Sequence, residues 1–155
     1  MGKQDVMAKI LPKGKGVWVP IDHGVTDFPC VGLENIEATI TAIIAGGANV
    51  IVAHKGVVDK YSHLCEGTAT SMIAHLSAST RHGGKNHSNK VLVGDVDEAI
   101  MRGAVGVSVQ ANIGSKKEAT MLQRMGHITS EAFLNQVPVL GMLYVRGENV
   151  KLMTN

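Results

Sequence analysis

Asp22, His23, His54, Lys55, His75, Ser77, Gln110, Asn112, Tyr144 and Arg146 share one property: each stands at or just beyond the end of a short apolar run. A carboxylate such as Asp22 and a phenol such as Tyr144 on two sides of a pocket can serve as proton acceptor and proton donor, if burial and neighbours tune them. Making or breaking a carbon–carbon bond beside a carbonyl also requires an electron sink, which a lysine imine or a divalent metal supplies. The guanidinium of Arg146 and the hydroxyls of Ser77, Ser79 and Thr80 suit a phosphate or a polyol. Together these residue types point to proton transfer on a polyhydroxylated carbonyl substrate.

Each of them also has an ordinary structural role. Asp22 could cap a loop, His23 or His75 could be a satisfied core histidine, and Lys55 could be a solvated loop lysine. The serines and the threonine could make local turn hydrogen bonds. Tyr144 could finish an apolar wall with its hydroxyl at the rim, and Arg146 could be a surface charge. What gives the set weight is that five separate runs end in the same way.

The runs are residues 17–21, 49–54, 72–76, 105–110 and 138–144, apolar on both faces as buried parallel strands are. Helix-period segments lie between them. Residues 34–45 carry Ile36, Ile40, Ile43 and Ile44 at helical spacing and end at Gly46-Gly47, which suits a glycine C-cap. Asp95-Val96-Asp97-Glu98 and Ser115-Lys116-Lys117-Glu118 have capping-box spacing, so helices are expected after Asp95 and after Ser115, the second running to about Asn135. A weak internal repeat aligns residues 47–54 with residues 103–110, each a helix end, a tight turn and a strand. Repeated βα units make either an open doubly wound sheet or a closed (β/α)₈ barrel. No Gly-x-Gly-x-x-Gly follows the first run, which favours the barrel. Such a barrel typically needs roughly 200 residues or more; about five strands are visible here, a partial TIM barrel of the α/β class. No linker divides residues 1–155, so one domain is expected. In a barrel the C-terminal strand ends form the active face, which is where the polar residues fall.

Composition narrows the function classes. With Lys+Arg 15 against Asp+Glu 13 and no long run of one sign, the electrostatic footprint of a nucleic-acid binder is missing. The five aromatic residues offer few platforms for stacking bases. No run approaches the roughly 18 apolar residues of a membrane helix, and the N-terminus lacks a signal-peptide core. Cys30 and Cys65 stand far apart, as reduced thiols of a cytoplasmic protein do.

Longer motifs carry a family resemblance. Residues 19–26 (VPIDHGVT), Gly46-Gly47-Ala48-Asn49 leading to His54-Lys55-Gly56, and residues 75–80 (HLSAST) come first. Residues 90–94 (KVLVG), 107–114 (VSVQANIG) and 138–147 (PVLGMLYVRG) follow in order. The chain thereby resembles the archaeal-type class I fructose-bisphosphate aldolase family, which includes 2-amino-3,7-dideoxy-D-threo-hept-6-ulosonate synthase and the aldolase-like thiolases of autoinducer breakdown. The resemblance implies a (β/α)₈ barrel in a homo-oligomer and Schiff-base chemistry on sugar phosphates such as fructose 1,6-bisphosphate or related keto compounds, with no added cofactor or metal. It implies Asp22 as proton acceptor and Tyr144 as proton donor. Asp22, His23, Gly24, Val25 and Thr26, with Tyr144, Val145 and Arg146, would line the substrate; His54, Lys55, His75 and Ser77 are further candidates. Val145 departs from the proline that usually follows the family's tyrosine, and Gln110 stands where histidine is common. The resemblance places the family's imine-forming lysine on strand six and its phosphate-binding glycines on strands seven and eight, all beyond Asn155, so the chain matches the N-terminal part of such a barrel.

Two other readings remain open at this level. His23, His54 and His75 could converge on a metal ion in a metal-dependent aldolase, and Lys55 could act as a substitute nucleophile. Alternatively the chain is a catalytically silent partial barrel that serves as a subunit or interaction module. An unclosed parallel sheet exposes strand edges and apolar faces. The 155-residue polypeptide expressed by itself is therefore expected to be poorly soluble or oligomeric by light scattering; a monomer with a cooperative melt would contradict this.

Overall fold

A computed structural model describes residues 2–150, apart from the side chains of residues 85 and 86. The helices are α1 (Lys3–Ile10), α2 (His23–Thr26), α3 (Ile36–Ala45), α4 (Lys55–Tyr61), α5 (Val96–Met101) and α6 (Glu118–Leu134). The strands are β1 (Trp18–Pro20), β2 (Val50–His54), β3 (Ser71–His75), β4 (Ser77–Ala78), β5 (Val91–Leu92), β6 (Gly106–Ile113) and β7 (Val139–Val145). β1, β2, β3, β6 and β7 pair in that order into one parallel five-stranded sheet, a half-barrel, while β4 and β5 form a small antiparallel pair above it.

Successive strand residues point to opposite faces, and the two faces of this sheet differ. Ile51, Ala53, Met72, Ala74, Val107 and Val109 belong to a buried cluster with Ile40 of α3, Val58 of α4, Val96 and Ala99 of α5, and Ile128 and Ala132 of α6. The alternate residues Val50, Val52 and Ile73 pack instead on Val6 and Ile10 of α1, with Trp18, Leu140 and Met142 partly buried around them. The end of α1 is tied to β1 by Trp18 Nε1, which donates to the Ile10 carbonyl at 3.0 Å. Further along, this second face turns polar, through His54, His75, Ser108, Gln110, Asn112 and Tyr144.

The internal repeat is a repeated helix stop. Gly47 and Gly103 both take positive φ, 77° and 94°. The next amide in each case bonds back five residues, Ala48 N–H to Ile43 O at 3.3 Å and Ala104 N–H to Ala99 O at 3.0 Å, the hydrogen bond of a Schellman ending. At Gly103 a Cβ would also lie 2.5 Å from Ser62 Oγ, so glycine is needed there for space as well as for φ.

Several expectations need correction. β6 runs three residues past the expected end, so Gln110 and Asn112 lie inside the strand; pairing of Asn112 with Tyr144 and of Ile113 with Val145 prolongs it. The capping box expected at Ser115 does not form. The Glu118 carboxylate accepts from the Gly114 N–H and Ser115 Oγ from the Lys117 N–H, so α6 begins at Glu118. The box at Asp95 is half present, its carboxylate accepting from the Glu98 N–H at 2.8 Å. Helix α1, helix α4 and the β4–β5 pair were not expected at all.

β1 and β7 are the sheet edges, and an apolar hollow of about 630 Å³ lined by Ile10, Trp18, Val52, Leu140, Met142 and Tyr144 opens beside them. Ile10 is fully buried between α1 and the strands. Ile10→Ala should therefore lower stability by about 2–5 kcal/mol in urea unfolding, whereas Val31→Ala, at a side chain 93% exposed, should leave the midpoint unchanged.

Candidate functional site

The polar residues of the inner face converge because the strand register makes them neighbours. His54 pairs with His75 across β2 and β3, and His75 with Ser108 across β3 and β6. The two imidazoles lie 5.4 Å apart, centre to centre. His54 Nδ1–H donates to the His75 carbonyl at 3.1 Å, and His75 Nδ1 is 2.6 Å from Ser108 Oγ.

Asp22 enters this row from β1, which the Ile21 N–H extends by bonding to Val52 O at 2.8 Å. It stands at the N-cap of α2, but its carboxylate makes no capping hydrogen bond. Instead Asp22 Oδ2 faces His75 Nε2 at 3.6 Å, beyond direct hydrogen-bond length. The Nε2 atom is buried and has no hydrogen-bond partner among the described residues. A neutral ring with its proton on Nε2 fits both neighbours: the N–H points at the carboxylate, and Nδ1 accepts from the Ser108 hydroxyl.

Burial dominates the electrostatics of the imidazoles. It pushes His75 down from 6.5 to about 4; Asp22 opposes the shift, while His54 and Lys90 add to it. Burial also lowers His54, again against the attraction of Asp22. Lys90, just before β5, is lowered first by burial and then by Arg146, with Asp22 and Asp27 acting in the opposite sense. A second polar chain runs alongside. Ser77 Oγ accepts from the Gln110 N–H, Gln110 Nε2 donates to Asn112 Oδ1 at 2.8 Å, and Asn112 Nδ2 donates to the Ser88 carbonyl at 2.7 Å.

The remaining candidates are spread more widely. His23, Gly24 and Val25 are exposed on α2, with Gly24 and Val25 bordering a mostly apolar hollow beside Phe28 and Ile36, whereas Thr26 faces the polar side. Tyr144 is 43% exposed on edge strand β7, with the Arg146 guanidinium carbon 4.2 Å from its ring centre. Val145 is exposed beside them.

Two sequence-based readings are corrected. Lys55 is not a free nucleophile: its ammonium is gripped by both oxygens of Glu98 at 2.9 and 3.0 Å, in a network with Arg102 and Asp59. Hydrogen bonds from Lys55 and then Arg102 hold Glu98 below the usual carboxylate range. The three-histidine metal reading also fails, since among the described residues no three His, Cys, Asp or Glu side chains form a metal-binding group. Sequence reasoning missed Ser108 and Lys90. The alternation Ser108, Gln110, Asn112 within an apolar strand was a readable signal for the first. Lys90 precedes a strand of two residues, too short to be recognised.

A parallel sheet with α3 to α6 on one face, and with α1 and then polar groups at the C-terminal strand ends on the other, has the architecture of the α/β barrel class. Within that class the chain belongs to the DeoC/LacD family aldolase group, whose family model matches residues 16–153. It is 35% identical over 147 residues to 2-amino-3,7-dideoxy-D-threo-hept-6-ulosonate synthase 1 of Archaeoglobus fulgidus, covering 95% of this chain and 55% of the relative. It is 34% identical over 149 residues to the corresponding synthase of Halobacterium salinarum, covering 96% and 55%. The chain thus spans about half the length of the curated relatives it matches. In structure it is similar to an archaeal fructose-1,6-bisphosphate aldolase whose catalytic lysine is covalently bound to the carbinolamine intermediate of the substrate. That likeness has a TM-score of 0.79 at 22% identity over 94% of this chain and 58% of the other, and it establishes the fold. No helix among the described residues is long and apolar enough to cross a membrane.

The lowered His75 pKa makes a signed prediction. Above pH 6.5 the ring is neutral whether folded or unfolded, and contributes nothing to the pH dependence. Between 6.5 and about 4 the unfolded chain binds a proton that the native ring refuses, so stability falls as pH falls, with His54 acting in the same sense. His75→Gln should flatten this decline in urea midpoints measured from pH 7 to 4; an unchanged slope would refute the buried, neutral ring.

Proposed function

We propose that the chain is the N-terminal part, residues 1–155, of a class I imine-forming aldolase or transaldolase-type synthase that acts on a keto-sugar phosphate. The observation that carries this reading is the Asp22 carboxylate, which has no capping bond and stands beside a buried histidine at a barrel strand end. Asp22 accepts the proton of the hydroxyl next to the breaking carbon–carbon bond, the bond's electron pair passes into an iminium on the substrate, and Tyr144 returns a proton to the enamine carbon. The imine-forming amine belongs to strand six of the complete barrel, as the family resemblance implies. Residues 22–26 and 144–146 line the substrate. The names of the relatives support the reaction class, and the reading includes a cytoplasmic homo-oligomer.

The test is aldol cleavage of fructose 1,6-bisphosphate, or the synthase reaction, by the full-length protein. Asp22→Asn and Tyr144→Phe should each lower kcat by about 10²–10⁴-fold while the circular dichroism and melting temperature stay unchanged. Undiminished turnover in Asp22→Asn would sink the assignment.

A further inference from the structure

Asp22 is not held by its own element. It makes no capping bond on α2, and among the described residues its carboxylate makes no hydrogen bond, although only 17% of the side chain is exposed. A proton acceptor needs a fixed direction, and a carboxylate with no bond of its own lacks one. The group that faces it is His75 Nε2, at 3.6 Å. Contacts of this kind are often long without substrate and tighten when it binds.

His75 has the rigidity that Asp22 lacks. The residue is 1% exposed. Its carbonyl accepts from His54 Nδ1–H at 3.1 Å, and the next amide, Leu76 N–H, donates to the Ser108 carbonyl at 2.8 Å. Ser108, fully buried on β6, places its hydroxyl 2.6 Å from His75 Nδ1. The direction of that contact follows from what each proton can reach. With the ring proton on Nδ1, the buried Ser108 O–H would have no acceptor among the described residues, and an Nε2 lone pair would oppose the carboxylate. With the proton on Nε2, the hydroxyl donates to Nδ1 and the ring N–H points at Asp22, so both protons are used.

The charged and titratable groups that face the ring are Asp22 from the end of β1, His54 from β2 and Lys90 from before β5. Burial, joined by His54 and Lys90, outweighs Asp22 and keeps the ring neutral near pH 7. A charged imidazolium would pair with Asp22 and compete with a substrate hydroxyl for it. A neutral N–H orients the carboxylate without that competition.

We propose that Ser108 and His75 are positioning residues for Asp22: the Ser108 hydroxyl fixes the ring proton on Nε2, and that N–H aims one carboxylate oxygen so that the other meets the substrate hydroxyl. The role in turnover rests on the aldolase reading, whereas the tautomer and its dependence on Ser108 do not. Neither side chain exchanges a proton with the substrate.

Nitrogen-15 NMR of the histidine rings in the full-length protein, paired with kinetics, tests this. His75 should stay neutral from pH 7 to 5 with its proton on Nε2, and Ser108→Ala should convert it to a mixture of both tautomers. His75→Leu should lower kcat by about tenfold to hundredfold, the range for losing one hydrogen bond to a charged group, with KM little changed. His75→Gln, whose amide N–H stands close to the place of Nε2, should recover most of that loss, and Ser108→Ala should lower kcat severalfold. A ring proton on Nδ1, or a tautomer indifferent to Ser108→Ala, would overturn the arrangement. A loss as deep in His75→Gln as in His75→Leu would reduce the ring to packing and overturn the positioning role. If His75→Leu does not fold, an unchanged kcat in Ser108→Ala would overturn it instead. Turnover indifferent to Asp22→Asn, with the proton found on Nε2, would sink the aldolase reading and leave the Ser108–His75 arrangement standing. Turnover lost in Asp22→Asn but intact in His75→Leu would uphold the aldolase reading and sink the positioning role.

Discussion

His54, His75 and Ser108 are cross-strand neighbours only because β2, β3 and β6 pair in parallel with a single register, and the rest of the site depends on that pairing. A slip of one residue on any of these strands would turn its inner side chains into the helix-packed layer. The register is held from the other side of the sheet. Ile51, Ala53, Met72, Ala74, Val107 and Val109 have large apolar surfaces to bury against α3 through α6, and a slip would expose them while burying histidine and serine among isoleucines. The energy that fixes the geometry of this polar row is thus hydrophobic and lies on the opposite face of the sheet.

The inner face serves two purposes along its length. Its lower half is apolar and closed by α1, whose Val6 and Ile10 meet Val50, Val52 and Ile73. Its upper half is a row of polar groups, nearly all satisfied by one another: Ser108 with His75, Gln110 with Asn112, Asn112 with the Ser88 carbonyl. The incompletely matched groups are the informative ones. Among the described residues, His75 Nε2 faces only the distant Asp22 carboxylate, and the Lys90 ammonium hydrogen-bonds only to Thr26. Burial weakens the charged form of both side chains.

Much of this was legible beforehand. The five strands were readable because fully buried parallel strands are continuous apolar runs, and the α3 stop because Gly47 is needed at positive φ. Asp22 was legible as a polar residue just past such a run. Helix α1 was not, because its mixed sequence KQDVMAKI has only Val6 and Ile10 to bury, and those two are explained by the strands they meet. Lys55 looked like a strand-end amine, and only the arrival of Glu98 from α5, far along the chain, showed it to be an ion-paired residue.

By itself, then, the sequence determined the alternation within each strand, the positions of the helix stops and the rule that polar groups follow apolar runs, because these are local properties of neighbouring residues. Tertiary structure alone decided which of those polar groups meet. Asp22, His75 and Ser108 come from three strands of one sheet, and Lys90 reaches the same place through a hairpin of two-residue strands. Their proximity is set by register and by packing on the far face of the sheet, and no local pattern encodes it.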